Sequence, residues 1–405
     1  MTDAAPRHAG LRRSAAALRT ELVALRRALH REPEIGLDLP LTRARVLAAL
    51  EGLPLEISLG RQLGSVTAVL RGALPGPVVL LRGDMDALPV REAVGVPYAS
   101  AVAGVMHACG HDLHTAALVG AVRLLCERRD ELAGTVVFMF QPGEEGLGGA
   151  RLMVGEGVLA AAGSTPVAAY ALHVTSSQLP SGWVACRPGP IMAASDTLTV
   201  TMRGRGGHGS SPHLALDPIP AACEAVTALQ TMVTRRFDAF DPVVVTVGSF
   251  HAGTAENVIP DEAVFAATIR SFSPEARARV LEGAPVVVRG IGQAHGLTVD
   301  AVVTEGYPVT INDPAETAFA AETVRELLGA DRYIDMPWPV AGSEDFSVVA
   351  ELVPSAYLLL GACPADRDPA TAAYNHSPQA AFDDSVLADA AALLAGLALG
   401  RLDRG

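Results

Sequence analysis

The sequence predicts an α/β fold: a domain with a mostly parallel sheet flanked by helices, interrupted by a smaller inserted α+β sandwich. Three observations carry this reading. Short apolar runs at residues 66–70, 78–81, 135–140 and 167–172 alternate with helical patterns, as strands covered by helices do. After about residue 187 the texture changes, and residues 197–202 alternate as Thr-Leu-Thr-Val-Thr-Met, a half-exposed strand. From residue 316 the first texture returns, in a chain of 405 residues that is too long for one ordinary core. The expected division is a main domain of residues 1–186 and 303–405, with residues 187–302 inserted into it.

Taken in order, residues 11–30 hold apolar side chains at helical spacing and stop near Glu32-Pro33, because proline disfavours a helical residue before it. Strands are expected at 66–70 and 78–81, a helix at 113–126, a strand at 135–140, a short helix around 150–154 and a strand at 167–172. The inserted segment reads as strand 197–202, helix 218–235, strands 243–247 and 263–269, and helix 274–294. Two strand–helix–strand passes of this kind suit a small α+β sandwich. A helix at 316–328, a strand at 356–360 and a helix at 386–399 complete the main domain. Gly204 to Gly209 satisfies G-x-G-x-x-G after a strand, but Pro212 and Asp217-Pro218 delay the next helix. No acid ends a strand about 20 residues later, so a dinucleotide site is not expected. The chain also lacks G-x-S-x-G, which removes the nucleophile of an α/β-hydrolase.

Lys and Arg total 31 against 44 acids, a net charge of −13, and all 31 are arginine. Without lysine there is no Schiff-base, Walker-A or kinase ATP-binding lysine. An acidic chain without a basic tract predicts neither a nucleic-acid nor a membrane partner. Residues 1–20 carry Arg7, Arg12, Arg13 and Arg19 with no uninterrupted apolar core, unlike a signal peptide. The apolar stretch 388–399 is broken by Asp389 and reads as too short to span a bilayer. Five widely spaced cysteines, an odd number, argue against a disulfide framework and for a cytoplasmic enzyme.

The polar residues concentrate at expected strand ends. His107-Ala108-Cys109-Gly110-His111-Asp112-Leu113-His114 packs three His, one Cys and one Asp into eight positions, a density typical of metal sites rather than of an incidental loop. Gln141-Pro142-Gly143-Glu144-Glu145 follows a buried strand. Adjacent carboxylates repel unless a cation or proton intervenes, so one as metal ligand and one as general base is an economical reading. Asp84 and Asp86 follow the strand 78–81, and His173 ends the strand 167–172. His376 sits in a loop before the last helix. Cys109 as a thiol nucleophile, with His111 or His173 as base, stays open, although the carboxylate pair then has no role.

In this order the motifs resemble the M20 metallopeptidase family, in its amidohydrolase branch of hippurate hydrolases, N-acyl-amino-acid amidohydrolases and auxin-conjugate hydrolases. They run from His30-Arg31-Glu32-Pro33-Glu34 through Gly83-Asp84-Met85-Asp86-Ala87-Leu88-Pro89 and His107-Ala108-Cys109-Gly110-His111-Asp112. They continue with Gln141-Pro142-Gly143-Glu144-Glu145 and Gly342-Ser343-Glu344-Asp345-Phe346, and end at Asn375-His376-Ser377-Pro378. The resemblance implies a two-metal catalytic domain with an inserted lid that mediates homodimerisation. It matches Cys109, His111, Glu145, His173 and His376 to metal ligands, Glu144 to the catalytic base and Asp86 to an acid that orients a ligand. Asp84 stands where the wider family has a ligand His, and Cys109 where it has a bridging Asp. The implied sharing has Cys109 bridging, with Glu145 and His376 on one metal and His111 and His173 on the other.

In the lid, His208 resembles the histidine that reaches the substrate carbonyl across the dimer, and Asn257 and Arg270 resemble contacts to the substrate carboxylate. The implied activity is hydrolysis of N-acyl amino acids, a small-molecule substrate, by two divalent ions (Zn, Mn, Co or Ni). A dipeptidase or N-carbamoyl-amino-acid hydrolase of the same family is the nearest alternative. A cysteine-nucleophile amidase and a non-catalytic metal-binding protein of this fold are more distant ones.

Overall fold

The structure, a computed structural model, describes residues 10–404; Arg7 and the rest of the first nine residues lie outside the described residues. The chain forms two compact units, one of residues 1–191, 311–338 and 345–405, the other of residues 192–310 and 339–344.

Unit 1 is built on an eight-stranded sheet. Its strands include β1 (Glu56–Leu59), β2 (Val66–Arg71), β3 (Leu74–Asp84), β4 (Ala133–Gln141), β5 (Ala168–Thr175) and β6 (Val184–Cys186). The order is β1-β2-β4-β3-β5, then Ser355–Gly361, β6 and Tyr333–Asp335. The four central strands β4, β3, β5 and Ser355–Gly361 run parallel, as the sequence predicts, while β2 joins β4 and β6 joins Ser355–Gly361 antiparallel. The sheet is therefore mixed: parallel at its buried centre, antiparallel on either side of it, with a last parallel pair between β6 and Tyr333–Asp335.

Helices α1 (Leu11–Arg31), α2 (Pro40–Leu50), α3 (His111–Glu127) and α4 (Gly149–Gly155) belong to this unit, with Pro314–Leu328 and Leu387–Leu402. Helix α1, α3 and Leu387–Leu402 pack on one another, burying Leu22, Leu29, Leu118, Leu125, Leu394 and Leu397. The final apolar stretch is longer than the sequence reading allowed. Asp384–Leu402 is 19 residues at mean hydropathy 1.6, enough by length and composition to cross a bilayer, but 78% of it is buried inside the protein. Its apolarity matches a core helix packed on all sides.

Unit 2 is a four-stranded antiparallel sheet in the order Val243–Ala252, Glu262–Ser271, Ala194–Arg203, Thr298–Tyr307. Helices Pro218–Arg236 and Pro274–Ala294 cover one face of it. Along Ala194–Arg203 burial alternates, so Leu198, Val200 and Met202 meet Ala221, Leu229 and Val280. The boundary expected at 302 falls inside the strand Thr298–Tyr307, which pairs with residues 195–203. Unit 2 accordingly runs on to residue 310. Its polar alternation, with residues 302 and 304 to 307 wholly or partly open to solvent, gave no apolar run by which sequence could find it.

Candidate metal centre

The chemistry-bearing residues collect where the parallel strands of unit 1 end, the usual ligand face of an α/β sheet. β3 ends on Asp84, β4 leads into Glu144 and Glu145, and α3 starts at His111. His173 lies inside β5, which continues to Thr175 instead of stopping at 172. Gly110 makes the turn from Cys109 to His111 at φ +81°, and a Cβ there would lie 2.4 Å from Val174 Cγ2. Only glycine satisfies both that backbone and that approach. His376 also has a positive φ, 71°, and its backbone N–H donates to the Ala108 carbonyl at 2.8 Å. A non-glycine residue in this region stores strain that its surroundings must hold.

Cys109 Sγ is the hub. His173 Nε2 lies 3.3 Å from it, and His376 Nε2 3.2 Å. His376 Nε2 is also 3.1 Å from Glu145 Oε1. Two groups share the sulfur, Cys109–His111–His173 and Cys109–Glu145–His376, each with donor atoms within 4.8 Å of one another. Glu144 joins His111 and Glu145 in a third. Backbone carbonyls set the imidazole tautomers: His111 Nδ1 faces the Asp86 carbonyl at 2.9 Å and His173 Nδ1 the Val174 carbonyl at 2.8 Å. Each ring thus turns its Nε2 towards the centre. His111 Nε2 is buried with no hydrogen-bond partner, a costly arrangement unless something binds it. An orphaned nitrogen among a thiol, two imidazoles and carboxylates fits a divalent cation.

The electrostatics agree. The thiol of Cys109 and the carboxylate of Glu145 raise the His376 pKa to about 10, so the hollow attracts positive charge. Burial disfavours a cation at His111, yet Asp84 and Cys109 outweigh it and hold its pKa well above the usual value. At His173 burial and the neighbouring His114 press the pKa well below normal, keeping the ring neutral as a ligand requires.

Asp86 does not face the hollow. Its carboxylate accepts the backbone N–H groups of Glu144 and Glu145 at 3.0 and 3.1 Å, and lies 3.5 Å from His111 Nδ1. It therefore sets the position of both glutamates. On unit 2, the short strands Gly207–His208 and Val258–Ile259 pair, and Gly209 N–H donates to the Asn257 carbonyl at 2.8 Å. This brings the exposed His208 and Asn257 side by side. His208 Nδ1 accepts from Ser210 N–H at 3.2 Å. Arg270 sits on Glu262–Ser271, where burial lowers its pKa and its Nη1 has no hydrogen-bond partner.

Sequence reasoning gave no role to the layer beneath the hollow. Arg82, wholly buried in β3, donates to Asp84 Oδ2 at 2.5 Å, to Gln141 Oε1 at 2.9 Å and to Asp345 Oδ1 at 3.0 Å. His114 Nδ1 meets Asp84 Oδ1 at 2.5 Å, and Val174 N–H donates to His114 Nε2 at 2.8 Å. Both nitrogens of His114 are therefore used, and it is not a free ligand despite its place in the dense motif. The available signal was Arg82 itself, a charge inside an apolar strand that burial obliges to be paired. A second buried cluster joins Arg26, His30, Asp112 and Glu92, with His30 Nδ1 2.7 Å from Asp112 Oδ2 and His30 Nε2 3.2 Å from Glu92 Oε1. It ties α1 to the first turn of α3, directly after the ligand loop.

The profile of peptidase family M20/M25/M40 matches residues 80–400. The Arabidopsis thaliana protein IAA-amino acid hydrolase ILR1-like 4 is 38% identical over 93% of this chain and 84% of its own length. Thermostable carboxypeptidase 2 of Saccharolobus solfataricus is 37% identical over 90% of this chain and 91% of its own. Among solved structures, the Bacillus subtilis YXEP protein, described as a dinuclear metal binding peptidase from the M20 family, superposes at TM-score 0.82. It is 33% identical and covers 96% of this chain and 99% of its own. With identity above 30% along nearly the full length, and with a site of this composition, the chain belongs to peptidase family M20/M25/M40 and is a hydrolase.

Proposed function

We propose that this chain is a dinuclear metal-dependent amidohydrolase that splits N-acyl amino acids into a carboxylate and a free amino acid. One observation carries the reading: Glu144, buried and placed by Asp86, stands beside the five-residue donor set, grouped with His111 and Glu145. A protein that only bound metal through those five residues has no use for Glu144. In this reading two divalent ions would be held by Cys109, His111, His173, Glu145 and His376, with Cys109 common to the His111–His173 and Glu145–His376 groups. Divalent ions there would make a water acidic enough to serve as nucleophile near neutral pH, lowering its pKa from about 15.7 towards about 7. Glu144 then takes the proton of the attacking water and returns it to the departing amine nitrogen. His208 hydrogen-bonds the carbonyl oxygen as it gains charge, supplied by the lid of a second copy in a homodimer. Arg270 offers a bidentate fork to the substrate carboxylate, and Asn257 is a second contact to it in this reading.

The relatives' names support this substrate class: an IAA-amino acid hydrolase and a carboxypeptidase both release an amino acid from an amide. The five described cysteines are all unpaired, in keeping with a reducing compartment such as the cytoplasm. The test is turnover on a panel of N-acyl amino acids, dipeptides and N-carbamoyl amino acids, with metal content measured on the same samples. Glu144→Gln is expected to keep its metal and lose about 10²- to 10⁴-fold in kcat. Turnover near wild type in that variant overturns the base assignment. Activity that survives chelation but not thiol alkylation points instead to Cys109 as a nucleophile.

A further inference from the structure

The Gly342-Ser343-Glu344-Asp345-Phe346 motif and the Asp84 position have no task in the reaction as described. Asp345 of that motif and Asp84 meet in one buried chain of hydrogen bonds within unit 1. Ala150 N–H and Gln141 Nε2 donate to Asp345 at 2.8 Å and at 2.7 to 2.8 Å. Arg82 bridges Asp345 to Asp84, and Asp84 continues to His114 and to the backbone of Val174, the residue after His173. Arg82, Asp84 and Asp345 are at most 1% exposed.

The hydrogen bonds fix the protonation states. Val174 N–H can only donate, so His114 Nε2 accepts and its Nδ1 carries the proton given to Asp84. Asp84 accepts from the Arg82 guanidinium at Oδ2 and faces His114 Nδ1 at Oδ1, each at 2.5 Å, so both of its oxygens act as acceptors. Arg82 is shared between the two carboxylates of Asp84 and Asp345. The same Oδ2 that accepts from Arg82 stands 3.6 Å from the unpartnered His111 Nε2. The same chain holds the segment of β5 that aims His173 at Cys109.

We propose that Asp84 is the anionic positioning residue of the His111–His173 half of the centre, and that Asp345 acts through Arg82 to hold it in place. The proposal rests on the dinuclear reading above. It explains why a carboxylate serves at Asp84: pinned on both oxygens, it adds charge beside one metal and fixes two of its ligands.

The test uses the metal-loaded protein and follows ion release by elemental analysis across a graded chelator series. Wild type is expected to give up two ions in two steps. His173→Ala and Glu145→Ala identify the halves by abolishing one step each. Asp84→Asn is nearly isosteric and leaves Arg82 paired with Asp345. It is expected to weaken the step lost in His173→Ala by about 10- to 100-fold and leave the other unchanged. Asp345→Asn is expected to do the same more weakly. The melting temperature of the metal-free Asp84→Asn chain should stay within a few degrees of the wild type. Wild-type release from Asp84→Asn, or equal weakening of both steps with a fallen metal-free melting temperature, overturns the proposal. A wild-type chain that binds one ion overturns the dinuclear reading itself, and the proposal with it.

Discussion

Arg270 and Gly110 show how single residues divide their work between binding and shape. Arg270 keeps an unpartnered Nη1 in a half-buried position, an arrangement that suits an anion it meets only on binding. Charge-assisted hydrogen bonds are worth about 1.5 to 3 kcal/mol. Arg270→Ala should therefore raise KM by about 10- to 100-fold and leave kcat within a few-fold, as steady-state kinetics would read. A fall in kcat at unchanged KM speaks against a carboxylate contact. Gly110→Ala acts through the backbone. A Cβ 2.4 Å from Val174 Cγ2, at a positive φ, should cost about 1 to 3 kcal/mol in chemical melts. It should also loosen the Cys109–His173 pairing, so bound metal should fall with stability.

Elements meet at the centre through buried polar ties as much as through apolar packing. α1 reaches α3 through Arg26 and His30, both facing Asp112 at the first turn of α3. Burial disfavours the His30 cation, but Asp112 and Glu92 outweigh it, and its pKa is raised; Arg26 and the neighbouring Tyr98 and His107 rings also face it. A raised folded-state pKa means that this pairing contributes fully below the unfolded value of about 6.5. The contribution fades as pH climbs through the folded value. The stability gap between wild type and His30→Gln should thus be largest in mildly acid urea melts and shrink in alkaline ones. A gap that widens with pH would show the imidazole to be neutral in the fold.

Across the whole molecule, all five proposed ligands lie in unit 1, and unit 2 has a hydrophobic core of its own. A ligand bound by the folded state alone stabilises it by RT ln(1 + [L]/Kd), about 4 kcal/mol at a thousandfold excess. Chelation should lower the calorimetric transition of unit 1 and leave a separate unit 2 transition in place. Adding divalent metal should restore both the transition and the activity. Homodimerisation through the lid predicts a mass near twice that of the chain by light scattering, and inactive dimers when His208 is replaced.

Much of this was legible without coordinates because the chemistry sits in short ordered motifs. Strand ends carrying Asp84, Glu144, Glu145 and His173 follow from apolar runs that stop at polar residues, and a parallel sheet brings such ends to one face. The sequence by itself determined the α/β texture, the inserted sandwich, the donor residue types and the absence of lysine chemistry. These depend on periodicity and side-chain identity, which are local. Only the tertiary structure decided that His114 is spent on Asp84 and Val174, and that Asp345 reaches Asp84 through Arg82. Asp345 lies 263 positions from Arg82 along the chain. No local pattern records which distant carboxylate burial will press against a guanidinium; that choice belongs to the packing of the sheet.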